Sequence, residues 1–147
     1  MTVGEQGVQI ARRWIGTPYR HQASCAGAGS DCLGLLRGVW RELYGAEPEV
    51  IPPYSRDWAE PQGHEALWKA ARRRLVPRPL SGEAVGDILL FRMREGCIAK
   101  HLGLQSNIGP GARFVHAYER HGVVESPLSD PWRRRIVARF AFPEEHN

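Results

Sequence analysis

A cysteine at the predicted start of a helix is the residue of this 147-residue chain best suited to nucleophilic chemistry. Cys32 follows a stretch of small residues over 22–30 and precedes an apolar pattern with helical spacing. The first backbone N–H groups of a helix and the positive end of its dipole favour a thiolate, which is the nucleophilic form of cysteine. Asp31 can cap the helix, although its negative charge opposes thiolate formation. A buried, unreactive cysteine is the competing interpretation, and the position alone does not decide between the two.

Two histidines downstream could supply the base that a thiol needs. His101 and His116 each lie in the middle of a predicted strand. One ring can take the thiol proton, while the other binds the second ring nitrogen of the base and fixes its tautomer. Glu119 and Gln105 are alternative orienting residues. Either histidine alone could be an ordinary polar residue of a strand, but a pair that accompanies a helix-entry cysteine favours catalysis.

The remaining cysteines do not share this setting. Cys25 and Cys97 lack the helix-entry position and are expected to be structural. Cys97 and His101 form a C-x3-H pair, whereas zinc sites usually contain two clustered ligand pairs. The sequence therefore predicts no metal and no cofactor, and three cysteines are too few for a disulfide scaffold.

The elements that must position these side chains are predicted as helices first and strands afterwards. Helices are expected over three ranges: 5–15, about 31–45 and 63–75. Pro18 breaks the chain after the first, and a proline-containing loop over 46–62 follows the second. In the third helix Leu67 should face inward and the arginine triplet 72–74 largely outward.

Alternating patterns in the second half predict about five strands. They cover residues 87–93, 97–105, 114–118, 122–126 and 136–142. In the second strand Ile98 is expected to share one face with Leu102, and Ala99 the other face with His101. Short turns at 94–96 and 120–122 favour antiparallel hairpins. Segregated helices and strands indicate an α+β fold, and the length favours one domain over residues 1–147.

Charge and hydropathy restrict the partners. The formal net charge is +4, almost all of it from arginine, with short runs at 72–74 and 133–135. These runs could bind a polyanion or form a solvated face, and no nucleic-acid-binding motif accompanies them. No apolar run is long enough to span a membrane, and the first residues lack the features of a signal peptide. We therefore expect synthesis in the cytoplasm and no specific nucleic-acid partner.

Five short motifs occur in the order seen in NlpC-type cell-wall peptidases. They are WIGTPY at 14–19, DCLGL at 31–35, GDILLF at 86–91, HLGL at 101–104 and FVHA at 114–117. In this ordered set the chain resembles that family of compact papain-like cysteine peptidases. Its members cleave the stem peptides of peptidoglycan, commonly between D-glutamate and diaminopimelate. The resemblance implies a papain-like fold, with N-terminal helices, the nucleophilic cysteine at a helix N-terminus, and a C-terminal antiparallel sheet.

The resemblance also implies a catalytic triad of Cys32, His101 and His116. In this scheme Cys32 attacks the scissile carbonyl, His101 takes the thiol proton and later protonates the leaving amine, and His116 orients His101. The Cys32 backbone N–H and the Tyr19 hydroxyl would stabilise the oxyanion. Asp31 and Tyr19 are the expected substrate-binding residues.

In two features the chain resembles a subgroup of this family that is encoded with phage tails and phage-like gene transfer particles. Leu33 replaces the serine that many relatives have after the nucleophile. The proline-containing loop and the helix after it lengthen the chain segment between Cys32 and the sheet. The missing targeting segment favours delivery by such a particle. We therefore expect a tail hub or tip protein as a partner and the periplasmic cell wall as the place of action. Acyl transfer through the same thioester, or a structural tail module without turnover, are the alternatives.

Overall fold

The structure, a computed structural model, describes residues 1–49, 54, 65–94 and 96–144. Helices in this part of the chain are α1 (Val3–Arg13), α2 (Cys32–Tyr44), α3 (Ala66–Arg74) and the short α4 (Asp130–Arg133). Strands are β1 (Ser24–Cys25), β2 (Gly29–Ser30), β3 (Val76–Arg78), β4 (Ile88–Arg92), β5 (Ala99–Asn107), β6 (Arg113–Tyr118), β7 (Gly122–Pro127) and β8 (Ile136–Ala141). None of the helices in these described ranges is long and apolar enough to span a membrane.

Local capping fixes where the first helix begins. Thr2 and Glu5 form a capping box in which each side chain accepts from the other residue's backbone N–H. Helix α1 therefore begins at Val3 and ends at Arg13, two residues before the predicted range at each end. Trp14 is buried just after the helix, whereas Ile15, the last residue of the predicted range, lies outside the helix and is 44% exposed.

The predicted second helix is confirmed, and its start holds the candidate nucleophile. Asp31 is the N-cap of α2, and its Oδ1 accepts from the Gly34 N–H at 2.7 Å. Gly45 ends the helix with a φ of 92°, a conformation that favours glycine. A Cβ at Gly38 would lie 2.1 Å from the Trp14 ring, so glycine at this position lets α2 approach the end of α1 closely. Helix α2 is thereby fixed at both ends and along one side.

The third helix agrees with its predicted range from Ala66 to Arg74, with Leu67 buried and the arginines exposed. Its predicted first residues, 63 and 64, lie outside the described residues, as do most of the loop over 46–62 and residue 95 of the first predicted turn.

One antiparallel sheet carries the second half of the chain, in the strand order β3-β8-β4-β5-β6-β7. The predicted strands correspond to β4 to β8, and the β6–β7 hairpin is confirmed. The sequence missed β3, because Pro77 lies in the middle of it. Proline is tolerated there because β3 is an edge strand that pairs only with β8 in the described sheet.

A bulge in β5 reverses the predicted alternation near His101. Phe91 pairs with His101 but Arg92 pairs with Ala99, so Lys100 is an extra residue in β5. Ala99 is fully buried with Leu102 in the main core cluster, and its predicted place on the His101 face was wrong. An alternating pattern cannot show such a shift, because the bulge leaves the residue types unchanged.

The sheet is buried on both faces. The larger cluster packs the helices against one face, through residues that include Ala11, Leu35, Leu90 and Val115. A smaller cluster on the other face contains Phe91 and Phe114, with Trp132 packed against it.

Candidate active site

Four of the predicted site residues line one cleft of about 330 Å³: Tyr19, Asp31, Cys32 and His101. The cleft lies where the start of α2 meets the bulged part of β5. His116, on the neighbouring strand β6, lies behind His101 and is fully buried. The structure therefore brings together all five residues that the sequence singled out.

Cys32 is a buried thiol at the first position of α2. It is 6% exposed, and its Sγ lies 3.8 Å from the Lys100 carbonyl oxygen, which the β5 bulge presents. Burial, and secondly the charge of Asp31, raise the pKa of the thiol to about 12. These effects outweigh the helix terminus, so the resting thiol is protonated and needs a base to become nucleophilic.

His101 and His116 form a hydrogen-bonded pair beside the thiol. The His101 Nε2 and His116 Nδ1 atoms are 2.8 Å apart. Burial lowers the pKa of His101 to about 4, and burial together with His101 and His121 lowers the pKa of His116 to about 2. Both rings are therefore neutral at pH 7. Because Nε2 of His101 is engaged by His116, Nδ1 is the nitrogen that remains available for a proton from the cleft.

The hydrogen bond identifies His116, rather than Gln105 or Glu119, as the residue that contacts the His101 ring nitrogen. The Gln105 amide binds Glu83 and the Asn107 carbonyl through its nitrogen and Arg139 through its oxygen. Glu119 lines the cleft, but the partner of the His101 ring nitrogen is His116.

Asp31 is occupied by contacts within the protein. Besides capping α2, its carboxylate accepts from the Gln22 N–H at 2.7 Å and from the Tyr54 hydroxyl. His21 Nδ1 lies 3.9 Å from Asp31 Oδ2, the oxygen that accepts both of these hydrogen bonds. Burial and the Asp31 hydrogen bond raise the pKa of Tyr54. These contacts order one wall of the cleft; a role of Asp31 in substrate binding remains a prediction.

Sequence reasoning missed Trp132, which covers the histidine pair. The centroid of its ring lies 5.7 Å from that of His101 and 5.2 Å from that of His116. Helix α4 holds it there, because Arg133 pairs with Glu83 at 2.9 Å. The signal in the sequence is a tryptophan directly before the arginine run 133–135, for which a polyanion site or a solvated face was expected.

The other arginine run shows ion pairs rather than a prepared anion site. Arg73 and Arg74 both pair with Glu49, at 3.0 and 2.7 Å. Cys97 and His101 do not form part of a metal site within the described residues, where no three His, Cys, Asp or Glu side chains gather. The three cysteines all lie in the described residues, and the structure shows no disulfide bond between them.

No protein-family model matches the chain. In sequence, it is 31% identical over 123 residues to murein DD-endopeptidase MepS/murein LD-carboxypeptidase of Escherichia coli K12, a match that covers 83% of this chain and 54% of the relative. It is 27% identical over 136 residues to gamma-DL-glutamyl hydrolase of Bacillus subtilis 168, covering 90% of this chain and 28% of the relative. The chain thus spans about half of the first relative and less than a third of the second.

Solved structures show the same fold. The NlpC/p60 domain of the peptidoglycan hydrolase SagA superposes with a TM-score of 0.62 at 21% identity, over 95% of this chain and 98% of that one. An NlpC/P60 family protein from Bacillus cereus ATCC 10987 gives 0.63 at 19% identity, over 96% of this chain and 40% of that one. This chain therefore has the papain-like α+β fold of the NlpC/P60 proteins and is similar in sequence to a curated murein endopeptidase and a curated gamma-DL-glutamyl hydrolase.

Proposed function

We propose that this chain is a cysteine endopeptidase that cleaves the stem peptides of peptidoglycan. The observation that carries the proposal is a thiol and an imidazole in one cleft, Cys32 and His101, with the imidazole bound to His116 at 2.8 Å. The names of the curated relatives describe murein and glutamyl hydrolases, which supports the substrate class.

The electrostatics favour a mechanism that starts from a neutral pair. The pKa of the Cys32 thiol is raised to about 12 and that of His101 is lowered to about 4, so proton transfer accompanies attack rather than preceding it. The Cys32 sulfur bonds to the scissile carbonyl carbon while its proton passes to His101 Nδ1. The carbonyl oxygen becomes negative, next to the Cys32 backbone N–H at the helix start and the Tyr19 hydroxyl.

Collapse of this intermediate releases the products in two steps. The C–N bond breaks, and the leaving amine takes the proton from His101, which leaves a thioester on Cys32. Water then gives a proton to His101 and attacks the thioester carbonyl. The C–S bond breaks, the carboxylic acid product leaves, and the Cys32 sulfur takes the proton back from His101. An amine in place of water would make the same intermediate a route to acyl transfer, and added amine nucleophiles distinguish the two by product mass.

The expected target is the bond between D-glutamate and diaminopimelate. The name of the B. subtilis relative refers to glutamyl bonds, which supports this choice, whereas the name of the E. coli relative refers to DD and LD bonds. Mass spectrometry of peptidoglycan fragments, after digestion by wild type and by Cys32→Ala, tests both activity and bond. Cleavage at the cross-link instead would correct the bond, and intact fragments with the wild type would contradict the peptidase and favour a structural module.

We further propose that the protein reaches the cell wall as part of a phage-like tail. Its support is the resemblance described above, in Leu33 after the nucleophile and in the long segment before the sheet. The expected partner is a tail hub or tip protein, and the expected place of action is the periplasmic cell wall. Purified particles whose protein inventory lacks this chain would contradict it.

The acid limb of the activity profile should lie at unusually low pH. Since the pKa of His101 is about 4, kcat/KM should stay near its neutral value down to about pH 5 and fall around pH 4. Trp132→Ala admits water to the histidine pair, so the pKa should rise toward the ordinary histidine value of about 6.5 and the acid limb should move with it. Trp68→Ala is the control and should leave the limb in place, because the Trp68 ring packs against Arg72 and Arg92 rather than against the histidine pair. A wild-type limb near pH 6.5 would contradict the prediction.

A further inference from the structure

His116 is a fully buried imidazole whose two ring nitrogens both have partners. Its Nδ1 lies 2.8 Å from His101 Nε2, and its Nε2 lies 2.9 Å from the hydroxyl oxygen of Ser126. Ser126 is on β7, two residues beyond Val124, which is the register partner of His116. Residues two apart in a strand share a face, so the backbone register places the hydroxyl beside this ring.

Neutral imidazoles make the direction of these hydrogen bonds decisive. A neutral ring has one N–H donor and one acceptor nitrogen, whereas a hydroxyl can donate or accept. If Ser126 accepts from His116 Nε2, then His116 Nδ1 is bare and accepts from His101 Nε2. The Nδ1 of His101 then has a lone pair that can take the thiol proton.

The opposite direction would disable the base. If Ser126 donated to His116 Nε2, the proton of His116 would lie on Nδ1 and would point at His101 Nε2. His101 would then carry its own proton on Nδ1, the nitrogen that has to receive one. One hydroxyl therefore selects between an active and an inactive arrangement of two rings.

The hydroxyl of Ser126 lies 2.9 Å from His116 Nε2, and its surroundings leave its oxygen able to accept a proton from that nitrogen. The rings around His116 within the described residues are aromatic, with Phe114 at 4.1 Å, Tyr118 at 5.3 Å and Trp132 at 5.2 Å between centroids. Ser126 is partly exposed, so water can accept the hydroxyl's own proton while its oxygen accepts from the ring.

We propose that Ser126 is a positioning residue, which accepts a hydrogen bond from His116 Nε2 and thereby holds His101 in the tautomer with a bare Nδ1. The proposal rests on the proposed function for its catalytic consequence, but the tautomers themselves are properties of the protein without substrate.

The experiment compares Ser126→Ala with Ser126→Thr, which keeps the hydroxyl. In wild type, ¹⁵N chemical shifts of the two rings at pH 7 should report a proton on Nε2 of both His101 and His116. Ser126→Ala leaves the His116 Nε2–H buried without this acceptor, so both rings should shift toward mixed tautomers and kcat/KM should fall about tenfold to a hundredfold. Ser126→Thr should restore both the shifts and most of the rate.

Ser106→Ala is the matched control. It removes a serine hydroxyl of strand β5 whose partner is Glu125 at 2.6 Å and not the histidine pair, so the ring shifts should stay unchanged. Wild-type shifts with the proton on Nδ1 of either ring, or ring shifts unchanged in a folded Ser126→Ala, would overturn the proposal. Failure of the peptidase function alone would appear as no cleavage by wild type with the ring shifts as expected.

Discussion

Cys32→Ala should reduce kcat/KM on a peptidoglycan stem peptide by a factor on the order of 10⁴ or more, because no other group can form the thioester. Cys32 is the cysteine that lines the cleft with His101, and it is the only one of the three that exposes less than a tenth of its surface. The fold should survive, since the change removes one sulfur atom from a helix whose cap, Asp31, is untouched. Kinetics on a synthetic stem peptide, with circular dichroism to check folding, measure the effect.

Cys97→Ala is the control, because it removes a thiol of the same chain that does not line the cleft. It should leave kcat/KM within about twofold of wild type. Full activity of Cys32→Ala would exclude the thioester mechanism, and equal losses in both variants would point to damage to the fold instead of loss of the nucleophile.

The position of the candidate nucleophile at a helix start was predictable because its determinants are local. A stretch of small residues, a capping Asp31 and an apolar repeat that follows it all lie within one short segment, and the structure confirms the helix from Cys32 to Tyr44. The strands of the second half were predictable for the same reason, since alternation is a local pattern. The pairing of His101 with His116 agrees with the resemblance and needed no knowledge of the register.

What the sequence missed depends on contacts between distant segments. Strand β3 exists because β8 offers it an edge, and its own residues include a proline. The bulge that brings the Lys100 carbonyl to Cys32 leaves no mark in the alternation. Trp132 and Ser126 contact the histidines only because α4 and β7 fold against them, and neither residue type indicates such a contact by itself.

These long-range contacts explain how the cleft can hold a neutral base. Trp132 packs against both histidine rings and shields them from water, and in the proposed arrangement Ser126 accepts a hydrogen bond from His116. Without such a shield, a histidine would titrate near pH 6.5 and would lose its function as a base in mildly acidic conditions.

The largest loss of stability is expected from Asp87→Ala, because it removes the nearer counter-charge of a buried guanidinium and leaves Glu83, whose Oε1 lies 4.0 Å from Arg139 Nη2. Arg139 is 3% exposed and Asp87 is 2% exposed, and Arg139 Nη1 lies 3.0 Å from Asp87 Oδ2. Removing one partner of such a pair costs about 3–5 kcal/mol in free energy of unfolding, whereas an exposed pair contributes about 1 kcal/mol or less. Glu42→Ala breaks the exposed pair with Arg13 and is the control.

Urea denaturation of Asp87→Ala, Glu42→Ala and the double variant Asp87→Ala/Arg139→Met separates charge from packing. If the uncompensated charge is the cause, Arg139→Met should recover part of the loss, because the methionine fills much of the same space without a charge to desolvate. If lost packing were the cause, the double variant would be less stable than Asp87→Ala alone. A loss in Asp87→Ala no larger than that in Glu42→Ala would show that the remaining partners of Arg139 satisfy the guanidinium by themselves. These are the Gln105 side chain, the Leu80 carbonyl and the Glu83 carboxylate.

The same network reaches the tryptophan that covers the histidines. Gln105 binds Glu83, and Glu83 pairs with Arg133, the residue after Trp132. If loss of Asp87 also loosens α4, the acid limb of the kcat/KM profile should move to higher pH.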